Sequence, residues 1–465
     1  MTVYDAIVKK VPITKGWSED NKFCVTTTDG SKYLLRVSPM SHYDNRKELY
    51  AIQEMAAALN IPMCKPVEFG TCEDGVYSIQ SWIEGDDLEA ALPLLSETEQ
   101  YVLGLKAGEI LRKIHNIPVP EAETDGIGAV ERILQDYQEH GQHFEGDDKV
   151  IAYISHNLHH LEDRPQCFLF SDYNVKNMMF ENGELRIIDF ERFEIGDPWE
   201  EFKNIVWSAY ASPHFATGQI RGYFGGEPPM YFFRLLSVYI PCLLLSLLSS
   251  WAVSSEFGRV VSLKLSQDVL KWFGNMNNLL PTWYLSSFEV WDVYDKERNK
   301  TGRLHERGKP MAPGDYHIIV HVWKYNAKGE WLIDKRTPRY GRSDLDGKWE
   351  TTGGCAVTGD DSLNAALRET KEELGIDLHP QRGILFSSTD QRWEDGHTAF
   401  IDVWVFECNE MIENVVPDER EVSEVMWASA DTIRTMINAG EFLDYSYFEE
   451  MVREWRAAKC VTNTV

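Results

Sequence analysis

One segment in the last third of the chain carries more negative charge on one helix face than an isolated helix tolerates. Residues 353–376 read GGCAVTGDDSLNAALRETKEELGI, and the spacing of the apolar positions predicts a helix over Leu363–Leu374. Its apolar residues share one stripe, whereas Glu369, Glu372 and Glu373 lie on the opposite side. Like charges at this spacing repel one another by several tenths of a kcal/mol per pair. A cationic partner would relieve this repulsion.

Divalent cations are one such partner. Mg²⁺ or Mn²⁺ bound by these carboxylates converts their repulsion into binding energy. Asp360 adds a fourth carboxylate at the entrance of the helix, and Gly353-Gly354 leave room for backbone carbonyls near a metal. A solvated acidic helix face is the alternative, because neighbouring glutamates are common on exposed helices.

The spacing of the whole segment resembles the Nudix box, G-x5-E-x7-R-E-U-x-E-E-x-G-U. The matching positions are Gly354, Asp360, Arg368, Glu369, Glu372, Glu373 and Gly375. Two positions depart from the box: Asp360 replaces the usual glutamate, and Thr370 stands where an aliphatic residue is usual. The shorter Asp360 weakens a secondary metal contact at most, since the three core ligands are unchanged.

This resemblance implies a divalent-metal site and a reaction. Glu369, Glu372 and Glu373 would bind the metal ions, with the carbonyl of Gly354 nearby, and Glu372 is the candidate catalytic residue of this half. Arg368 would orient a glutamate rather than bind substrate. The implied chemistry is attack of metal-activated water on a diphosphate linked to another moiety, such as a nucleoside diphosphate derivative. The sequence does not assign the general base.

Residues 302–336, upstream of the box, resemble the Nudix branch that includes isopentenyl-diphosphate isomerase. That isomerase uses a catalytic cysteine shortly after the tryptophan corresponding to Trp349. Here Gly353-Gly354 occupy that stretch, and Cys355 follows one step later, where a strand side chain points the other way. Hydrolysis is therefore favoured over isomerisation. Lys335-Arg336 is a candidate phosphate contact, with ordinary surface charge as the alternative.

A second group of polar residues surrounds a predicted hairpin in the first half. Asn182-Gly183 is a favoured two-residue turn between two apolar runs, so the chain folds back on itself there. This pairing brings Asn177 close to Asp189 at the open end of the hairpin. Asp172 lies five residues before Asn177 and can present a second carboxylate. An amide and carboxylates in this arrangement suit Mg²⁺.

The stretch FSDYNVKN, residues 170–177, resembles the H-G-D-x-x-x-x-N loop of the aminoglycoside phosphotransferase and choline kinase group, a branch of the protein-kinase-like fold. Phe170-Ser171 replace the usual His-Gly. The resemblance implies that Asp172 accepts the proton of a substrate hydroxyl. Asn177 and Asp189 would hold the Mg²⁺ that bridges the phosphates of ATP. The alternative is that all three residues merely cap turns.

Two further positions are expected to complete the nucleotide site. Arg36, in YLLRV, occupies the strand position of the family's phosphate-binding lysine, and Glu48 on the following helix is its predicted partner. An ordinary strand arginine is the alternative. The segment Thr14–Lys22 is a candidate for covering the phosphates, although it contains a single glycine.

The fold expectation is α+β and α/β in two domains. Residues 1–285 are expected to form a bilobal protein-kinase-like phosphotransferase fold, and residues 286–465 a Nudix α/β/α sandwich. The predicted function is a bifunctional enzyme that phosphorylates a small-molecule hydroxyl (an aminoglycoside, choline, a related amino alcohol or a sugar) and hydrolyses a diphosphate. The alternative is a Nudix hydrolase regulated by a catalytically inactive, nucleotide- or metabolite-binding kinase-like domain.

Composition limits the partners and the compartment. Lys and Arg total 46 against 74 Asp and Glu, a formal net charge of −28, so nucleic acid is disfavoured as a partner. The eight cysteines form no CxxC pair and the amino terminus has no apolar signal core, which predicts a cytoplasmic protein. The uncharged stretch Leu235–Val253 is long enough to cross a bilayer, but a buried helix is the preferred interpretation and no membrane is expected.

Overall fold

The computed structural model describes residues 2–14, 20–119, 126–190, 193–338, 345–393 and 396–462. Within this chain the backbone separates into two compact units, Met1–Ser286 and Ser287–Val465.

The first unit begins with an antiparallel sheet of five strands and one helix. The sheet order is β1-β2-β3-β5-β4. These elements are β1 (Ile7–Ile13), β2 (Asn21–Thr27), β3 (Lys32–Ser38), α1 (Tyr43–Ala58), β4 (Pro66–Cys72) and β5 (Gly75–Ser81). Buried apolar side chains of the central strands, including Val25, Leu35 and Ile79, form a small core of their own. This lobe carries Arg36 on β3 and Glu48 on α1.

The rest of the first unit is mainly helical. Its helices are α2 (Leu88–Ala91), α3 (Glu97–Ile114), α4 (Gly126–His140), α5 (Asp147–Asn157), α6 (Ile205–Ala211), α7 (Pro213–Phe224), α8 (Met230–Ser249), α9 (Trp251–Ser254) and α10 (Glu256–Trp272). Helices α3 and α7 approach each other backbone to backbone. A Cβ atom on Gly108 would overlap the Gln219 backbone, and one on Gly222 would overlap the Leu105 backbone. Glycine at both positions permits this contact.

The apolar stretch noted in the sequence is the core of α8. By length and composition, the helical run Met230–Ser254 is able to cross a membrane, but 72% of its most apolar window is buried inside the unit. Side chains such as Leu236, Ile240 and Leu244 belong to the large core of this lobe, together with residues of α3, α4 and α6. Burial against neighbouring helices accounts for its hydrophobicity.

Short strands between α5 and α6 position the candidate catalytic residues. They are β7 (Cys167–Leu169), β8 (Met178–Glu181), β9 (Glu184–Ile187) and β10 (Glu194–Gly196). β8 and β9 form one sheet with β6 (Asp86–Asp87), which precedes α2, and β7 pairs with β10. The predicted hairpin is confirmed, because Glu181 pairs with Glu184 around Asn182-Gly183. Both turn residues have positive φ, at 52° and 83°, as this turn type requires.

The second unit is a sheet enclosed by helices on both faces. Its elements are β11 (Val290–Tyr294), β12 (Lys300–Glu306), β13 (His317–Tyr325), β14 (Trp331–Arg336), β15 (Trp349–Glu350), β16 (Thr352–Cys355), α11 (Ser362–Leu374), β17 (Gly383–Arg392), β18 (Thr398–Glu407), β19 (Val422–Ala428), α12 (Ala430–Asn438) and α13 (Phe448–Thr462). Seven strands form the main sheet, in the order β15-β14-β13-β18-β17, with β16 also pairing with β13 and β19 with β14. β11 and β12 form a separate hairpin.

Two hydrophobic layers sandwich this sheet. One face packs Val320 and Val322 of β13 against Ala365 and Ala366 of α11. The opposite face packs Trp323 and other strand residues against α12 and α13. The α/β/α arrangement expected of the second half is therefore confirmed, and it places the glutamate helix α11 directly on the sheet.

Two candidate metal-dependent active sites

In the first unit, a buried glutamate holds the loop that carries Asp172. The carboxylate of Glu201 accepts hydrogen bonds from the backbone N–H groups of Ser171, at 3.0 Å, and Tyr173, at 3.2 Å. Asn204 donates from Nδ2 to the Ser171 carbonyl at 3.0 Å. Burial raises the pKa of Glu201 to about 7, against the lowering effect of these two N–H groups.

Ser171 explains a departure noted in the sequence. Its φ is 70°, in the left-handed region that glycine adopts freely and serine does not. Glycine would adopt this backbone conformation without strain, which explains why the H-G-D loop has glycine at this position. This chain adopts the same conformation with serine, which is less suited to it. Among the residues that the structure describes, the buried Ser171 hydroxyl also has no hydrogen-bond partner.

The side chains of Asp172 and Asn177 are in direct contact. Asn177 donates from Nδ2 to Asp172 Oδ2 at 2.9 Å and to the Asp172 carbonyl at 2.9 Å. Asn174 donates to Asp172 Oδ1 at 2.7 Å. Two amides thus fix the Asp172 carboxylate, and the Asn177 amide oxygen is the atom left to contact a metal.

Asp189 lies beside Asn177 at the open end of the hairpin. The Ile188 N–H donates to the Asn177 carbonyl at 3.0 Å, and Asp189 itself has a φ of 68°. Arg36 Nη2 donates to Asp189 Oδ1 at 3.1 Å. The Asp189 side chain remains 40% exposed and therefore accessible to a ligand.

Lys22, the last residue of the segment expected to cover the phosphates, lies opposite Arg36, a pairing that the sequence analysis did not predict. Lys22 and Arg36 are direct partners across β2 and β3, and Lys22 Nζ lies 4.0 Å from Asp189 Oδ1. Burial and the neighbouring Arg36 lower the pKa of Lys22. Two cations thus face one carboxylate, which suits a site for an anionic group.

The predicted partner of Arg36 is wrong. Glu48 is exposed on α1, and Arg36 forms an ion pair with Asp189 instead. The inward stripe of α1 contains Leu49 and Gln53, so Glu48 points outward one residue before it. Gln53 reaches the sheet and the hairpin in place of a glutamate: it donates to the Phe190 carbonyl at 3.0 Å and accepts from Gln80 at 2.9 Å.

The predicted phosphate-covering segment Thr14–Lys22 falls mostly outside the described residues, at positions 15–19. Its described end is anchored by Asp20. Asp20 accepts hydrogen bonds from Ser38, at 2.5 Å, and from Arg46, at 2.8 Å.

In the second unit, Arg368 organises the carboxylates of the glutamate helix. Its guanidinium donates to Asp360 at 2.9 Å, to Glu372 at 2.8 Å and to the Cys355 carbonyl at 2.8 Å, and lies 3.0 Å from Glu369. The shorter Asp360 thus still reaches the arginine. This geometry supports the expectation that Arg368 orients glutamates rather than substrate.

Glu369 packs against the glycine pair of β16. A Cβ atom on Gly354 would overlap the Glu369 carboxylate, so any other residue there would displace this carboxylate. Burial raises the pKa of Glu369 to about 8, assisted by Glu372 and Glu289 and opposed by Arg368. The carboxylate is therefore held in a position where its charge is poorly solvated.

Glu373 faces a different set of acids. Asp334 on β14, Glu350 on β15 and Glu421 in the turn before β19 line one small cavity with Glu373. Burial, followed by these carboxylates and Glu369, raises the pKa of Glu373 well above its usual range. Sequence reasoning did not identify these three acids as part of the site.

Arginines reach both sides of this acidic group. Arg336 binds Glu350 through Nε at 2.7 Å and Nη2 at 2.9 Å, whereas its neighbour Lys335 pairs with the exposed Glu424. Arg307 donates to Glu289 at 2.7 Å, and Glu289 acts electrostatically on Glu369. Arg307 and Glu289, at the β11–β12 hairpin, were also missed, because no motif marks them.

The donor chemistry fits a hard divalent ion. Among the residues that the structure describes, no three His, Cys, Asp or Glu side chains converge closely enough to share one metal. Arg368 instead lies between Glu369 and Glu372, so a cationic side chain stands in their midst. Carboxylate oxygens and a carbonyl beside Gly354 are the ligands that Mg²⁺ and Mn²⁺ prefer.

Cys355 is poorly suited to catalysis. Burial raises the pKa of its thiol to about 12, so the thiolate is scarce at neutral pH. Its carbonyl is occupied by Arg368. Both features agree with hydrolysis rather than the cysteine-dependent isomerisation of the related branch.

Comparisons with known proteins match both units. A family model described as "Phosphotransferase enzyme family" matches residues 10–233, and the "NUDIX domain" model matches residues 315–448. The fold and the two sites thus define a two-domain enzyme, with a kinase-like phosphotransferase domain followed by a Nudix hydrolase domain.

Individual relatives agree for the second unit. An uncharacterized Nudix hydrolase of Listeria monocytogenes is 31% identical over 169 residues, which are 35% of this chain and 93% of that protein. Isopentenyl-diphosphate Delta-isomerase of Escherichia coli is 26% identical over 148 residues, 32% of this chain and 69% of the isomerase. The chain belongs to the Nudix hydrolase family through this unit.

Among solved structures, the choline/ethanolamine kinase family protein from Mesorhizobium loti is similar to the first unit. The identity is 16%, the TM-score is 0.43, and the match covers 58% of this chain and 91% of that one.

Proposed function

We propose that the chain is a bifunctional metal-dependent enzyme. The first unit transfers the γ-phosphoryl group of ATP to a small-molecule hydroxyl, and the second hydrolyses a nucleoside-diphosphate-type substrate. The observation that carries the proposal is the occurrence of two separate groups of oxygen ligands, each with its own basic residues. Asp172, Asn177 and Asp189 form the first; Glu369, Glu372 and Glu373 form the second.

In the first unit, each residue has a defined task. Asp172, held by Asn174 and Asn177, accepts the proton of the acceptor hydroxyl. Asn177 and Asp189 supply oxygens to Mg²⁺, which neutralises phosphate charge when bound. Arg36, which donates to Asp189, contacts the phosphates of ATP. A phosphate oxygen can accept the hydrogen bond that Asp189 accepts in this structure.

The acceptor is a small molecule that carries positive charge, such as an amino alcohol or aminoglycoside. A cavity of about 500 Å³ in the helical lobe is lined by four acids, Asp163, Glu194, Asp197 and Glu200, and by two bases, Arg164 and Lys203. The bases pair with Asp197 and Glu200, so the acids remain in excess. Glu200 adjoins Glu201, which holds the catalytic loop. Carboxylates in a cavity of this size favour cationic ligands. Glu201 itself is engaged by the loop and does not contribute to acceptor recognition.

Turnover of ATP with a panel of amino alcohols, aminoglycosides and sugars tests the kinase activity. Asp172→Ala removes the proton acceptor and is expected to lower phosphoryl transfer by about 10²–10⁴-fold. Asp136→Ala, at an exposed position on α4, is the matched control and keeps wild-type turnover. Equal rates in wild type and Asp172→Ala would refute a catalytic role for this loop.

In the second unit, the residues of α11 perform the hydrolytic role. Glu369, Glu372 and Glu373 bind divalent ions beside the Gly354 carbonyl, and Arg368 holds Glu369 and Glu372 in place. When bound, these ions activate water and neutralise the diphosphate. Arg307 and Arg336 lie beside the acids and contact the substrate phosphates.

Mg²⁺-dependent phosphate release from a panel of nucleoside diphosphate derivatives tests this unit. Glu372→Gln keeps the size of the side chain but removes its charge, and is expected to lower the rate by roughly 10²–10³-fold. Glu413→Gln, an exposed position without a described contact, serves as the control. Unaltered hydrolysis in Glu372→Gln would show that this glutamate is not needed.

One observation favours a second candidate function for the first unit. Ser171 occupies a backbone conformation suited to glycine, next to the proposed proton acceptor. A kinase-like unit that binds nucleotide or metabolite without turnover, and thereby regulates the Nudix unit, would tolerate such a change. In that case ATP raises the melting temperature of the protein, but no acceptor is phosphorylated.

A further inference from the structure

Lys324 is buried where lysine is seldom found. It lies on β13, within the main sheet of the second unit, and its exposed fraction is 0%. Lysine is almost never fully buried unless its charge is paired. The proposed roles of the glutamate helix leave this residue unexplained.

A chain of hydrogen bonds connects Lys324 to a buried acid. Its ammonium group donates to the Thr352 hydroxyl, which in turn donates to Asp334 Oδ2 at 2.9 Å. Thr352 and Asp334 are also buried, at 0% and 1% exposure. The strongest electrostatic partners of Lys324 are Asp334 and then Glu373. Lys324 is thus a fully buried cation that is linked through Thr352 to Asp334, one of the acids around Glu373.

The charges in this region make such a cation significant. Asp334, Glu350, Glu373 and Glu421 line one small cavity, where Arg336 already engages Glu350. Taking several carboxylates out of water is costly unless cations accompany them. A cation fixed by the protein and a cation bound from solvent oppose each other electrostatically, because both neutralise the same acids.

We propose that Lys324 is a resident counter-cation of the Nudix metal centre. It stabilises the acidic group when no metal is bound, and it weakens and thereby sets the affinity of that group for divalent ions. This inference rests on the proposed function of the second unit. Lys324 is a positioning residue in this account, since it reaches Asp334 through Thr352, beside the cavity that Asp334 shares with Glu373, and does not touch substrate.

The substitution Lys324→Met separates this role from simple packing. Methionine is similar in length and removes the charge, so the remaining acids attract Mn²⁺ more strongly. We expect about tenfold tighter Mn²⁺ binding in Lys324→Met. The melting temperature of the second unit should fall without metal and recover when Mn²⁺ is added. The Mn²⁺-induced rise in melting temperature is therefore larger than in the wild type.

A packing defect predicts a different pattern. Leu332, on the neighbouring strand β14, is fully buried against Leu374 of α11. Leu332→Ala should lower the melting temperature equally with and without Mn²⁺ and leave Mn²⁺ affinity unchanged. It is therefore the matched control for a buried substitution that carries no charge change.

The experiment uses the full-length chain in an Asp189→Asn background, which silences the proposed metal site of the first unit. Mn²⁺ binding is measured by titration calorimetry, and unfolding by scanning calorimetry. Glu372→Gln in the same background identifies the Nudix site, since its loss of Mn²⁺ binding shows which site is observed. Absence of any Glu372-dependent Mn²⁺ binding would refute the proposed metal centre and remove the ground for this inference.

With that site established, the outcomes separate clearly. Tighter Mn²⁺ binding together with a larger Mn²⁺-induced stabilisation supports the counter-cation. Unchanged or weaker binding in Lys324→Met overturns it. Should Lys324→Met not fold without metal, the double variant Lys324→Met/Asp334→Asn removes both charges of the pair. The inference then requires that it fold and bind Mn²⁺ with wild-type affinity within about threefold; a larger departure in either direction overturns it.

Discussion

The two candidate sites present oxygen ligands in opposite ways. In the first unit, Asp172 is held by amides, and Asp189 stays 40% exposed beside Arg36 and Lys22. In the second, Glu369 and Glu373 are crowded with other acids, and their pKa values rise through burial. The first arrangement surrounds its carboxylates with amides and cations and leaves Asp189 accessible. The second relies on internal cations, namely Arg368, Lys324 and Arg336, to hold its carboxylates together.

This difference predicts how each site responds to amino-acid substitution. Strain in the first unit resides in the backbone, at Ser171 and Asp189, both with positive φ. Strain in the second resides in electrostatic repulsion among side chains. Substitutions of cations should therefore affect the second unit more strongly, and substitutions that relax the backbone should affect the first.

The largest effect is expected from removal of Arg368. Arg368→Ala leaves Asp360, Glu369 and Glu372 without their shared partner, and breaking such a buried network costs about 3–5 kcal/mol. Arg36→Ala in the first unit should cost roughly 1 kcal/mol, because its partner Asp189 is partly solvated. Scanning calorimetry of both variants measures the two losses. Equal losses would contradict the contrast between the sites.

A pH-dependent effect is expected from Glu201, the buried acid of the first unit. Folding raises its pKa from 4.5 to about 7, so its contribution to stability is present below pH 4.5 and is lost as pH rises through 7. Glu201→Gln removes this titration. Relative to the wild type, the variant should therefore gain about 3 kcal/mol between pH 5 and pH 8.

Denaturant unfolding at pH 5, 6, 7 and 8 checks the Glu201 prediction. A stability difference between Glu201→Gln and the wild type that does not change with pH would show that Glu201 is ionised in the folded protein at all these pH values. Glu201 would then differ from the crowded glutamates of the second unit, whose pKa values are raised by burial.

A smaller, stabilising effect is expected at Ser171. Ser171→Gly relieves a positive φ and removes a buried hydroxyl without a partner, which should raise stability by about 1 kcal/mol. Asn182→Gly, at a φ of 52°, is the control and should gain only about a few tenths of a kcal/mol, since asparagine tolerates this region. Thermal unfolding of both variants gives the comparison, and a destabilised Ser171→Gly would refute backbone strain in this loop.

Local signals made several elements predictable. Asn182-Gly183 correctly indicated the hairpin that places Asn177 near Asp189, and the apolar spacing correctly indicated the helix α11. Gly375, with a φ of 70°, ends that helix as a left-handed cap. In these cases a few neighbouring residues determine the structure.

Other features depended on details beyond local patterns. Asp29-Gly30 has the composition of a two-residue hairpin turn, which would place Phe23 opposite Arg36. The actual turn is longer, with the Thr27 N–H bonded to the Ser31 carbonyl, so Lys22 faces Arg36 instead. Glu48 was misplaced because the phase of α1 about its axis is set by packing on the sheet. The register of the β2–β3 hairpin thus determines that Lys22 faces Arg36, and the rotation of α1 about its axis determines that Glu48 does not.

The acids around Glu373 illustrate the limit most clearly. Asp334 and Glu350 lie on the paired strands β14 and β15, and Glu421 lies in the turn that leads into β19, which also pairs with β14. The sheet topology brings the three acids together. No spacing in the sequence connects them. Lys324 is similar, because its burial follows from its place in a central strand.

The central claim is that the chain holds two separate sites for divalent ions. Anomalous diffraction from crystals of the full-length protein soaked with Mn²⁺ and a non-hydrolysable ATP analogue tests it directly. The account predicts Mn²⁺ peaks about 2.0–2.5 Å from carboxylate oxygens of Asp189 and of the Glu369–Glu373 group. Peaks confined to one unit, or lying away from both groups, would contradict it.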